Sequence, residues 1–251
     1  MADAHLRVYL AQCRGPRRIP LENANGFMGS SASAVSGPAK GSRWQAALLE
    51  RPRRSDHIAL VYKDDAFLVE SVGRFIDSGL RSGDGIVVLC TLPRWEEIRQ
   101  RLASRGADLM ISALRRGQLI RTGVHNILLN WMGSNCSQSE FNEAVGGLVD
   151  MQLGQYPAVR VFSELADVLL DKDNWLIATN AQRGWNSYLR GKPVSVLSAW
   201  RLDRLYAEGY GSRLERLYLT HQHILTDDDG QGPGSRASAD EAAASSIPKR
   251  P

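Results

Sequence analysis

The segment from His57 to Thr91 constrains the fold of this chain more than any other. It predicts a strand over His57–Tyr62 (HIALVY), a helix over Phe67–Leu80 and a second strand over Ile86–Thr91. In a phosphate-binding α/β protein, the loop after the first strand is rich in glycine and carries a Lys-Ser or Lys-Thr pair. Here that loop is Lys63-Asp64-Asp65-Ala66, and its two carboxylates would repel phosphate. The layout of a nucleotide-binding domain without its phosphate chemistry favours a binding or signalling module over an NTPase.

The distribution of charge divides the chain into three parts. Residues 1–55 hold nine basic and three acidic side chains, and residues 226–251 hold three basic and five acidic ones. Residues 56–225 therefore carry no net charge, although the whole chain carries +4. Nucleic-acid binding needs a dense cationic face, so this balance argues against it. We predict one domain over residues 56–225, a disordered basic extension over residues 1–55 and a disordered tail over residues 226–251.

Several kinds of site and location are disfavoured by what the sequence contains. The cysteines Cys13, Cys90 and Cys136 are too few and too scattered for a disulfide framework or a zinc site. The pair His221 and His223 lacks ligand partners at metal spacing. No apolar run approaches the roughly 18 residues of a membrane span. We expect a cytoplasmic protein that does not enter a membrane and holds neither metal nor cofactor.

Strands and helices alternate through the central region. This order predicts an α/β fold of three layers, with a mostly parallel sheet and helices on both faces. Gly106 is expected to end one helix. The remaining predicted elements are strands over Leu119–Arg121, Val159–Phe162 and Pro193–Trp200, and helices over Pro93–Arg105, Ser139–Leu153, Leu165–Leu170, Trp175–Leu189 and Leu202–Leu225.

Six local patterns follow one another in a distinctive order. They are His57–Tyr62 followed by acidic residues, Phe75–Leu80 leading through Gly83–Gly85 into a strand, Gly117–Leu119 followed by Ser139–Phe141, Val159–Glu164, the pair Trp185-Asn186, and a strand leading toward His221. In order and spacing they resemble the MEDS domain, the sensory domain of methanogen and methylotroph regulators of the dichloromethane-dehalogenase type. The resemblance runs from about Asp56 to Leu225. It implies a RecA/KaiC-like fold without a Walker A loop.

The resemblance also implies a function. A domain of this family would be a non-enzymatic sensor in transcription regulation, which binds a small organic molecule and signals through a partner protein. Two alternatives stay open, a residual ATP-binding protein and a scaffold that recruits partners through its basic N-terminal arm. A homo-oligomer is equally compatible with the sequence. The chain departs from the family pattern at Gln182, where an acidic residue is usual, at Ser198-Ala199-Trp200, where Cys-Ala-Tyr is common, and at Gly123-Val124, where an Asp-Ala-like pair is common.

Five residues are candidates for the ligand site. Glu164 follows a predicted strand, and ligands of open α/β sheets bind outside the carboxyl ends of strands. Tyr62 and Asp64 stand where a phosphate loop would lie, although a solvated turn would look the same. His57 and Asn186 belong to the family patterns, but a hydrogen-bonded structural role fits each of them as well. We predict a pocket at the carboxyl edge of the sheet lined by some of these five.

Overall fold

Six strands form one sheet in the computed structural model of the protein, which describes residues 43–132, 137–172, 174–206 and 210–227. The strands are β1 (His57–Tyr62), β2 (Gly85–Cys90), β3 (Leu119–Gly123), β4 (Val159–Ser163), β5 (Val194–Arg201) and β6 (His223–Thr226). They lie in the order β3–β2–β4–β5–β1–β6, and the five pairings between neighbours are parallel. The expectation of a mostly parallel sheet is therefore confirmed.

Helices connect the strands and cover both faces of the sheet. They are α1 (Arg43–Glu50), α2 (Asp65–Ser82), α3 (Leu92–Arg115), α4 (Val124–Met132), α5 (Gln138–Phe141), a π-helical turn (Asn142–Gly146), α6 (Gly147–Leu153), α7 (Leu165–Leu170), α8 (Trp175–Tyr188), α9 (Leu202–Leu205) and α10 (Tyr210–Thr220). None of the described helices combines the length and the apolar character that a membrane span requires. The three-layer α/β fold predicted from the sequence is confirmed.

Alternate residues of each central strand enter two separate apolar cores. In β1, Ile58 and Leu60 pack into the core beneath α1, α2 and α3, whereas Ala59 and Val61 face the core formed with α4 to α10. Successive side chains of a strand point to opposite faces, so a strand covered on both sides is apolar throughout. All six residues of β1 are buried. This explains why HIALVY reads as one continuous apolar run.

The acidic loop after β1 starts helix α2. The Asp64 carboxylate accepts a hydrogen bond from the Ala66 amide at 2.9 Å, which caps the first turn. At the other end Gly83 adopts φ +80°, and its amide donates to the carbonyls of Gly79 and Leu80. The helix therefore extends about two residues beyond the predicted Phe67–Leu80 at each end. In place of a phosphate cradle, the loop provides a helix cap.

Helix α1 lies within the segment that we predicted to be disordered. Its attachment depends on the buried Arg160 of β4, which donates to the carbonyls of Leu49 and Glu50 at 3.2 Å each. The same guanidinium binds Asp84 at 2.7 Å. The folded part of the chain thus begins before residue 56, because a buried arginine needs acceptors that α1 supplies. Residues 1–42 of the predicted extension and residues 228–251 of the predicted tail lie outside the described residues.

Of two other boundaries predicted from the sequence, one is confirmed and one is wrong. Gly106 has non-helical backbone angles (φ 166°, ψ 85°), so the helix before it ends there, and a second helix continues across the kink to Arg115. The predicted helix over Leu202–Leu225 instead contains α9, α10 and the short strand β6. Pairing with β1 supplies the backbone hydrogen bonds of β6, so only the tertiary structure fixes it as a strand. Residues 207–209, between α9 and α10, lie outside the described residues.

Candidate functional site

The carboxyl ends of β1, β2, β4 and β5 meet at one edge of the sheet. The chain leaves this edge at Tyr62, Thr91, Glu164 and Arg201. Because parallel strands end side by side, polar residues that follow them collect in one place. The edge therefore contains two of the candidates, Tyr62 and Glu164, with the capping residue Asp64 exposed at its rim.

Arg94 is the central side chain of this edge. It comes from the first turn of α3 and is 8% exposed. Its guanidinium binds three carboxylates, Asp65 at 2.7 Å, Glu97 at 2.6 Å and Glu164 at 3.2 Å. Burial acts to lower the pKa of Arg94, but its acidic neighbours outweigh burial and hold the pKa above its ordinary value. We call these four residues the Arg94 cluster.

Glu164 has no carboxylate oxygen free of a partner. Its Oε1 accepts from Arg94, and its Oε2 accepts from the backbone amide of Thr91 at 2.7 Å. The residue is 5% exposed, as expected for a carboxylate whose charge is compensated. These contacts are those of a salt-bridged glutamate at a strand–helix junction. A ligand role for Glu164 stays a prediction that would require Arg94 to move.

A second acid at the edge, Asp167, was not identified from the sequence. It accepts from the Tyr62 hydroxyl and from the Arg201 amide, each at 2.6 Å. Burial raises the pKa of Asp167 to about 7, although these two hydrogen bonds favour the ionised form. Arg201 also reaches Asp65 at 2.9 Å, which links this pair to the Arg94 cluster. The three-residue spacing from Glu164 to Asp167 is about one helical turn. This spacing could have indicated from the sequence that both carboxylates lie at the same edge.

The other two candidates, His57 and Asn186, do not belong to this edge. His57 opens β1, five residues before Tyr62, which at roughly 3.3 Å per residue separates the two by about 17 Å. Its Nδ1 lies 2.8 Å from Oδ1 of Asn186 on α8, and its Nε2 lies 3.1 Å from the Ser198 hydroxyl. The structure therefore divides the five predicted residues between two sites.

His57 belongs to a buried polar network with His221. The two imidazole rings are 4.1 Å apart. Burial lowers the pKa of His57 to about 4 and holds that of His221 well below its ordinary value, so both rings are neutral near pH 7. The side-chain amide of Gln182 joins the network, 3.0 Å from the Ser198 hydroxyl and 3.2 Å from His221 Nε2. Gln182 and Ser198, two departures from the family pattern, are thus in direct contact.

The orientation of Asn186 fixes the direction of the hydrogen bonds made by His57. Asn186 donates from its amide nitrogen to the Thr220 carbonyl and so presents its oxygen to His57. A neutral imidazole has one donor and one acceptor, so His57 donates from Nδ1 to Asn186 and accepts at Nε2 from Ser198. Gln182 Nε2 donates to the Ala178 carbonyl at 3.5 Å, and its Oε1 faces Ser198 and His221. Nδ1 of His221 lies 3.0 Å from the Thr220 hydroxyl and 3.1 Å from the Leu217 carbonyl.

We expect Arg94→Met to lower the free energy of unfolding by about 3 kcal/mol, because it leaves the buried Glu164 without its cation. In Arg94→Met/Glu164→Gln the loss should be smaller, since glutamine still accepts from Thr91 and carries no charge. Arg99→Met on the same helix removes an exposed pair with Glu96 and should cost under about 1 kcal/mol. Urea denaturation measures all three. A loss for Arg94→Met no larger than that for Arg99→Met would contradict the role of the cluster.

The two buried sites have opposite dependences on pH. The native-state pKa of His57 is about 4, below its unfolded value of 6.5, so its contribution is complete above pH 6.5 and is lost as the pH falls toward 4. The native-state pKa of Asp167 is about 7, above its unfolded value of 3.8, so Asp167 stabilises the fold as the pH falls through 7. In the wild-type protein, these two contributions to the pH dependence of the free energy of unfolding should partly cancel.

Asp167→Asn removes one side of this balance. We expect its free energy of unfolding to fall more steeply than that of the wild type between about pH 6.5 and pH 4, by roughly 1.4 kcal/mol for each pH unit where a single group titrates. Asp171→Asn is the matched control, because Asp171 is an exposed carboxylate at the end of the same helix. Equal pH slopes for the wild type and Asp167→Asn would show that Asp167 is ionised throughout.

Comparison with known proteins gives one family. The model described as MEDS, the methanogen/methylotroph DcmR sensory domain, matches residues 56–222. A search of curated proteins found no match. The matched span contains β1 to β5, both sites described above and more than half of the chain. The chain therefore belongs to the MEDS family of sensory domains.

Proposed function

We propose that this protein is a non-enzymatic cytoplasmic sensor that binds a small organic molecule and signals through a partner protein in transcription regulation. Its membership in a family of sensory domains supports the general role. The specific proposal rests on one observation: Arg94 occupies the carboxyl edge and binds the carboxylates of Asp65 and Glu164 there. These are the groups that catalysis at this edge would require.

The chemistry of the edge is unsuited to phosphoryl transfer. That reaction needs a backbone or lysine cradle for the phosphates and carboxylates that hold Mg²⁺. Here Asp64 caps a helix, Asp65 binds Arg94 and Arg201, and both oxygens of Glu164 have donors. We propose a degenerate RecA/KaiC-like fold in which ion pairs stand where a phosphate loop would lie. These contacts disfavour the alternative of a residual ATP-binding protein.

The same ion pairs bear on where the ligand binds. A molecule entering beside Tyr62 would have to separate Arg94 from Glu164, and breaking a buried ion pair costs about 3–5 kcal/mol. A site elsewhere avoids this cost. Ligand binding would then act by population shift, favouring one arrangement of the helices that the partner recognises.

Thermal unfolding with a panel of neutral, cationic and anionic organic compounds tests the proposal. We expect at least one compound to raise Tm in a saturable manner, since a ligand at 100 times its Kd adds about 2.7 kcal/mol. Mg-ATP should give no Mg²⁺-dependent stabilisation, and no phosphate should be released from it. ATP turnover that is lost in Glu164→Gln would contradict the proposal, and so would a panel in which no compound stabilises the protein.

A further inference from the structure

A groove of about 560 Å³ runs between α8 and α10, on the side of the buried histidine network that faces solvent. This volume lies within the range of small-molecule sites. The residues that line it are Thr179, Arg183, Asn186, Ser187, Arg190, Glu215, Arg216, Leu219 and Thr220. From this lining we propose that the groove binds a small organic polyanion with two or more carboxylate or phosphate groups.

Three arginines give the groove its charge. Arg183 lies on α8, Arg190 lies in the turn just after the end of that helix, and Arg216 faces them from α10. No described side chain forms an ion pair with any of these three arginines, whereas Arg94 and Arg160 each bind carboxylates. Glu215 is the single acidic residue of the lining. The side chains that line the groove therefore carry a net charge of two positive units, which no ion pair among the described residues compensates.

The spacing of the arginines favours more than one anionic group. From Arg183 to Tyr188, the last residue of α8, the helix rises about 7.5 Å, and Arg190 lies beyond its end. Arg183 and Arg190 can therefore hold opposite ends of a ligand while Arg216 binds it from the other wall. A guanidinium binds carboxylate or phosphate through two parallel hydrogen bonds. Three such groups around one groove suit a ligand with several charges better than a single monoanion.

Neutral donors lie between the arginines. Asn186 and Ser187 stand three and four residues after Arg183, so they lie on the same face of α8. Asn186 donates one amide hydrogen to the Thr220 carbonyl at 2.8 Å, and its second hydrogen has no acceptor among the described residues. Because Asn186 also accepts from His57, a ligand bound to it is one hydrogen bond away from the first residue of β1.

This inference rests on the proposed sensor function and extends it, because it names the class of ligand that is sensed and the place where that ligand binds. It moves the ligand site from the predicted carboxyl edge to the α8–α10 groove. At the edge, the charges are already paired with one another. In the groove, the cations are available to an anion that arrives from solution.

Isothermal titration of the full chain with citrate and with inorganic pyrophosphate, at constant ionic strength set by NaCl and without Mg²⁺, tests the inference. We expect saturable binding of at least one of them. Preference for citrate would indicate a carboxylate ligand, and preference for pyrophosphate a phosphate ligand. Arg183→Gln and Arg216→Gln should each weaken binding about 10-fold or more, because a hydrogen bond to a charged group contributes roughly 1.5–3 kcal/mol.

The control removes an equivalent charge elsewhere. Arg115→Gln deletes an exposed arginine at the end of α3, outside the groove, and should leave affinity unchanged. Equal weakening by Arg115→Gln would show non-specific attraction and overturn the inference, as would the absence of saturable binding. If a neutral compound stabilises the protein and Arg183→Gln leaves that effect unchanged, the sensor function stands and the polyanion site is wrong.

Discussion

The pairing of Arg94 with Asp65 and Glu164 is the interaction on which the carboxyl edge depends. A sheet of parallel strands directs the loops after its strands to one edge, where side chains and helix N-termini can form a ligand site. In this protein one guanidinium joins the loop after β1, the first turn of α3 and the end of β4. The buried acid Glu164 requires that cation. The loop that would hold phosphate therefore holds arginine through Asp65.

This arrangement separates two polar systems along β1. At its carboxyl end, charged groups are paired with one another and with Tyr62 and Asp167. At its amino end, His57 belongs to a neutral network that reaches the helices of the opposite face through Asn186. A fully buried strand connects the two ends. The hydrogen bond from His57 to Asn186 thus connects β1 to α8 without involving the ion pairs of the carboxyl edge.

The sequence predicted the elements whose signals are local. The apolar runs of β1, β2 and β4, and the rule that ligands meet the ends of parallel strands, correctly placed Tyr62 and Glu164 at one edge. The sequence could not predict β6, because its four residues become a strand only by pairing with β1. Nor could it identify Arg94 among the many arginines of α3, because the partners of Arg94 come from distant segments. His57 was misplaced for a related reason: its position in the first strand was evident, but not which end of that strand faces the site.

Native-state hydrogen exchange at the Thr91 amide tests the central claim most directly. This amide donates to Glu164, the buried partner of Arg94, at 2.7 Å. If the Arg94 cluster closes the edge as part of the cooperative core, Thr91 should exchange only through global unfolding, with an opening free energy equal to that from urea denaturation. Exchange through a local opening whose free energy is several kcal/mol lower than that of global unfolding would contradict the account. The edge would then be open to ligands in the native protein.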